Sequence, residues 1–87
     1  MKNNVQSGVI DPFVLEVLRH SHPKALNVTK LISKVRRLSD LPAEIATCNR
    51  ENFSFLVKEG MWRLLDEGLA DLTPSRNVLF RPDRQHA

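Results

Sequence analysis

A small α+β domain, with three main helices followed by a C-terminal antiparallel β-hairpin, is the fold class this sequence predicts. Three observations carry that reading. Phe53, Leu56, Val57, Met61, Leu64 and Leu65 recur at helical spacing, with Trp62 widening the stripe. The run stops at Gly68, a residue suited to the left-handed position just past a helix end. The period then changes: Leu69 and Leu72 flank Ala70 and Asp71, residues 73–77 (TPSRN) have turn chemistry, and Val78, Leu79 and Phe80 form a strand-like apolar run.

Taken in order, residues 1–10 are expected to be a flexible lead-in, 11–82 the folded domain and 83–87 a frayed tail. Asp11 can cap a first helix, with Pro12 at its first position, where the missing N–H removes no needed hydrogen bond. Phe13, Val14, Val17 and Leu18 then share a face, so the helix should run over residues 12–20 and close at Ser21-His22-Pro23. Residues 25–28 (ALNV) are long enough only for a bridging strand. Thr29 can cap a second helix over residues 30–38, whose buried stripe is Leu31, Ile32, Val35 and Leu38.

Residues 39–52 leave two readings open. In one, they form a long connection holding an extra helical turn, with Asp40 as its cap and Pro42 in its first turn. In the other, LPAEIAT is the first helix of a helix–turn–helix pair completed by the long helix, because Ile45-Ala46 lies at a familiar distance from Gly68-Leu69. The long helix then starts at Asn49 or Asn52, both suitable caps, and ends near Glu67. Gly60 inside it costs about 1 kcal/mol relative to alanine, which points to a close helix contact or a bend.

Composition bounds the function. A chain of 87 residues with 41% hydrophobic and 26% charged residues can hold one packed core but not a core plus a roomy active-site cleft. The net charge of +3 and a pI near 9.5 permit nucleic-acid binding without demanding it. Cys48 stands alone, which excludes an intramolecular disulfide and fits a reducing compartment. No apolar run spans a membrane and MKNNVQSG lacks the apolar core of a signal peptide, so the expectation is a cytoplasmic protein, nuclear in a eukaryote.

The segments LNVTKLISKV and LLDEGLADLTP, with the long helix and hairpin between and after them, resemble the strand, cap and second helix, and the helix-to-wing junction, of winged-helix domains. The resemblance covers a superfamily and implies a winged helix-turn-helix with a two- to three-stranded sheet. It also implies a sequence-specific DNA-binding transcriptional regulator, working on double-stranded DNA as a homodimer at a two-fold site. The alternative is a winged-helix interaction module that binds a protein partner and no DNA, because the fold serves both ends.

Candidate residues follow from these readings. Lys30, Lys34 and Arg37 share a face of the second helix with Ser33, and Arg36 lies beside them; with Lys58 they would contact phosphates. The same cations also suit a solvated helix face. Asn49, Arg50, Asn52 and Ser54, at the start of the long helix, would reach base edges, where Asn pairs with adenine and Arg with guanine. They serve equally as caps and turns. Ser75, Arg76 and Asn77 form the hairpin tip, with Arg81 at the far end of the second strand, and a wing Arg can enter a minor groove.

Against DNA stands the charge of the long helix. From residue 51 to 67 it carries Glu51, Glu59, Asp66 and Glu67 against Lys58 and Arg63, a net −2. Catalysis has little support: no phosphate loop, nucleophile elbow or carboxylate pair occurs, and no cofactor is implied. His20, His22 and Cys48 match no common zinc spacing, so no metal is expected, and the histidines suit a helix C-terminus. Phe53, Phe55, Trp62 and Phe80 all fall in apolar patterns and are expected in the core. An exposed stripe shared by Phe55 and Trp62 would instead mark a partner surface.

Overall fold

The computed structural model describes residues 8–82, so the lead-in over 1–7 and the tail over 83–87 lie outside the described residues. Four helices and a hairpin follow in order: α1 (Asp11–Ser21), α2 (Val28–Arg36), α3 (Ala43–Ala46), α4 (Arg50–Asp66), β1 (Ala70–Leu72) and β2 (Val78–Phe80). The fold is α+β, with α1, α2 and α4 packed on one another and the hairpin against α1 and α4. Val14, Leu18, Leu31, Val35, Ile45, Phe53, Val57 and Val78 are fully buried, and among the described residues no polar or charged side chain joins them.

The start of α1 departs from expectation. Asp11 does not cap it; Ile10 holds the cap position, without a side-chain hydrogen bond. Ile10 is itself fully buried, so the folded unit begins before Asp11 rather than after residue 10. Asp11 instead reaches α4, where the Arg63 Nε–H donates to its Oδ2 at 2.9 Å and Nη2–H to Oδ1 at 3.0 Å. This two-point pair raises the Arg63 pKa further above its ordinary value. One turn earlier on α4, a Cβ on Gly60 would lie 2.8 Å from Asp11 Oδ1 and 2.9 Å from the Ile10 side chain. Gly60 is therefore the close contact its mid-helix position suggested, and the crossing brings the start of α1 onto α4.

Leu26 pairs with Val78 through two backbone hydrogen bonds of 2.8 and 2.7 Å, so the bridging segment is a single residue long. Helix α2 then begins at Val28. Its cap is Asn27, whose Oδ1 accepts the Lys30 N–H at 2.8 Å, not Thr29, which falls inside the first turn. The helix ends at Arg36, leaving Leu38 just outside it yet still packed on the core. Residues 37–49 form a connection carrying the single turn α3, with Pro42 rather than Asp40 at the cap position. Ile45 pins that turn to the core. The segment thus holds one short helix, directly before α4, within a long connection from α2.

Helix α4 starts on Asn49, whose Oδ1 accepts the Asn52 N–H at 2.8 Å. It ends in a Schellman motif: Gly68 (φ 80°) donates its N–H to Leu65 O and Leu69 donates to Leu64 O. The hairpin pairs Ala70 with Phe80, Asp71 with Leu79 and Leu72 with Val78. Its turn places Pro74 after Thr73, whose carbonyl accepts the Arg76 N–H at 2.8 Å, and Arg76 sits in the left-handed region at φ 69°. A non-glycine residue there is uncommon, and the sequence pattern carried no sign of it. Phe53 and Phe80 are in the core as expected. Phe55 and Trp62 are not: they are 60% and 56% exposed.

Candidate nucleic-acid interface

The amphipathic phases of α2 and α4 decide which side chains meet. Buried Leu31 and Val35 turn one face of α2 inward, and Phe53, Val57 and Gly60 do the same for α4. The flanks that then face each other enclose a cleft of about 950 Å³. From α2 it is lined by Thr29, Ser33 and Arg36, and from α4 by Arg50, Ser54 and Lys58, above Val28, Ile32 and Phe53. Three cations and three hydroxyls thus line the opening, and no carboxylate is among the lining residues. The N-terminus of α4 adds the positive end of its helix dipole beside Arg50.

Arg36 is held in place. Its guanidinium lies 4.7 Å from the centroid of the Phe53 ring, and its Nη2–H donates to the Cys48 carbonyl at 3.2 Å. Among the described residues Arg50 and Lys58 make neither a hydrogen bond nor an ion pair, so both charges are available to a ligand. Such a surface can neutralise phosphates and offer hydroxyl donors and acceptors to sugar or base edges.

The expected site residues are divided by the fold. Arg36, Arg50, Ser54 and Lys58 come together in the cleft, joined by Thr29 and Ser33. Ser33 was legible as a neighbour of the lysines, but Thr29 was read as a cap. Lys30 is exposed on α2 outside the cleft. Lys34 and Arg37 line a separate hollow on the other flank of α2, with Glu16, His20 and Leu38. There, hydrogen bonds from Arg19 first and His20 second hold the Glu16 carboxyl below its usual pKa, so an anion shares that hollow. The lining of that hollow thus includes a carboxylate, which the cleft lining lacks.

Asn49 and Asn52 do not line the cleft either. The Asn49 cap commits the side-chain oxygen that a bidentate adenine contact would use. Ser75 and Arg76 are exposed at the hairpin tip with Asn77 half-buried beside them, and none of the three borders the cleft. Arg81 is engaged within the sheet, its Nη1–H donating to Asp71 Oδ1 at 3.1 Å. His22 rests edge-on against Phe80. Among the described residues no group of three or more His, Cys, Asp or Glu side chains is gathered to hold a metal ion. None of the helices described is long and apolar enough to cross a membrane.

The acidic residues of α4 lie apart from the cleft. None of Glu51, Glu59 and Asp66 borders it, and Glu67 stands at the C-terminal cap of the helix. The net charge of the helix therefore misstates the charge at its α2 side, where the charged lining residues are all cations. Comparison with protein-family models, with curated proteins and with solved structures finds no match to this chain.

Proposed function

We propose that this chain is a winged-helix DNA-binding protein, a sequence-specific transcriptional regulator that holds duplex DNA along the α2–α4 cleft. The observation that carries the reading is the lining of that cleft: Arg36, Arg50 and Lys58 with Thr29, Ser33 and Ser54, and no carboxylate. Arg36 and Lys58 would hold phosphates, while Arg50 and Ser54, on the first turns of α4, would read base edges. The order of elements supports the fold assignment. A strand-like bridge at Leu26 precedes α2 and pairs with β2, so a third segment lies beside the hairpin in the order bridge, β2, β1. Lys30 on the outer face of α2 and Arg76 at the hairpin tip extend the positive surface.

Fluorescence anisotropy of a labelled random-sequence duplex, measured at two salt concentrations, tests this. Four or more phosphate contacts require affinity to fall by roughly 100-fold between about 50 and 200 mM salt. A folded, monodisperse protein that leaves the duplex free at the lower salt would remove the DNA reading. The interaction module would then be preferred, on the specific ground that Phe55 and Trp62 are exposed on α4.

A further inference from the structure

Along α4, Glu51, Phe55, Glu59, Trp62 and Asp66 follow one another at intervals of four, four, three and four residues. At 100° per residue these five side chains fall within an arc of about 80° and span about 22 Å of helix. Acid and aromatic alternate along the whole line. Phe55 and Trp62 are the two most exposed large hydrophobic residues described, and Glu51 and Asp66 are exposed at the two ends. Glu59, between the rings, is half-buried and shares its field with Arg63. None of the three carboxylates has an ion-pair partner among the described residues. The stripe does not depend on the DNA reading and shares no lining residue with the cleft, although Trp62 and Asp66 continue the row of Arg50, Ser54 and Lys58 and the exposed Lys58 stands one turn from both rings.

We infer that this ridge docks an arginine-rich segment of a partner protein. The charge and the order of the side chains choose the occupant. Two indole and phenyl faces left in water need a covering group, and the carboxylates on either side of each ring need a cation. A guanidinium does both: its planar face lies on an aromatic ring while its edge donates two hydrogen bonds to a carboxylate. An ammonium offers the charge without the stacking plane. An uncharged apolar helix would cover the rings but leave three carboxylates unpaired at its edge. A second copy of α4 would bring three more carboxylates to this face with only Lys58 and Arg63 to offset them, and Arg63 is already committed to Asp11.

The experiment uses the full chain and a fluorescein-labelled ten-residue arginine peptide, with lysine and glutamate peptides of the same length beside it. Because the whole chain carries a net +3, general electrostatics oppose a polycation, and binding reports the ridge. The expected result is saturable binding of the arginine peptide, with a blue or quenched emission from Trp62, the sole tryptophan. Lysine should bind roughly 5-fold more weakly, the difference that two exposed ring contacts supply. The triple variant Glu51→Gln, Glu59→Gln, Asp66→Asn and the separate Phe55→Ala should each weaken arginine binding while leaving the helical circular dichroism unchanged. Duplex DNA binding by the Phe55→Ala variant should be unaltered, which separates this surface from the cleft. Absence of arginine-peptide binding at low salt would overturn the inference, as would binding that persists unchanged in the triple variant or equally in Phe55→Ala.

Discussion

Reversing Arg50 and Lys58 together to glutamate is expected to weaken duplex DNA binding by about 100-fold at moderate salt and to make the salt dependence shallower by about two contacts. Both side chains line the cleft and neither is tied to another described residue, so the loss is of charge facing the ligand. Stability should survive. Arg50 is the first residue of α4, where a glutamate is favoured by the helix dipole, and Lys58 is exposed. Thermal melts of the double variant should therefore match the parent while anisotropy titrations differ. The companion variant Lys34→Glu, Arg37→Glu alters the hollow that already holds Glu16 and should lose less affinity than the cleft variant. A larger loss there would move the phosphate track to the opposite flank of α2.

Truncating Phe53 to alanine is expected to cost about 3–5 kcal/mol, because a fully buried ring at the meeting of α2 and α4 leaves a cavity that its neighbours cannot fill. For a domain of this size that is a large share of a total stability of about 5–15 kcal/mol. Each kcal/mol moves the midpoint by about 4–8 °C, so a fall of more than about 12 °C should appear in circular dichroism melts. Phe53→Leu keeps most of the volume and should cost less than about 1.5 kcal/mol. It also removes the ring beneath Arg36, so the leucine variant should stay folded yet bind DNA more weakly as that guanidinium loosens. A leucine variant that binds like the parent would leave the ring a packing role only.

Periodicity and stop signals carried most of the fold. The stripe from Phe53 to Leu64, Gly68 at the helix end and the turn before Val78 are local features, and the structure keeps each of them. Gly60 was legible as a close contact because glycine inside a long helix has few other reasons to be there. What failed depended on partners distant in the chain. Asp11 has the chemistry of a cap, but Arg63, fifty-two residues on, takes its carboxylate. Thr29 and Asn27 are both good caps, and the pairing of Leu26 with Val78 decides where the chain enters α2. Trp62 lies nine residues, or half a turn of the wheel, from Phe53, so the helical period itself sets it opposite the buried face; it was the apolar bulk of the indole, not its phase, that read as core.

The site was half legible for the same reason. The basic character of α2 and the polar start of α4 are read directly from residues 30–37 and 49–54. A helical wheel shows the buried face of α2 but does not say which of its two flanks will meet α4. That choice separates Arg36, with Thr29 and Ser33, from Lys34 and Arg37. It also relieves part of the objection raised by the acidic residues of α4: Glu51 and Glu59 lie on the neighbouring row, and Asp66, which continues the row of Arg50, Ser54 and Lys58, stands two turns beyond Lys58 and outside the cleft lining.

The most direct test of the central claim is a nuclear magnetic resonance titration of the isotope-labelled protein with a short duplex at low salt, followed through the backbone amides. The largest shifts should fall on Thr29, Ser33, Arg36, Arg50, Ser54 and Lys58, and should fade as salt is raised. Shifts confined to the ridge at Phe55 and Trp62, or to the hollow at Lys34 and Arg37, with the cleft unchanged, would contradict the claim.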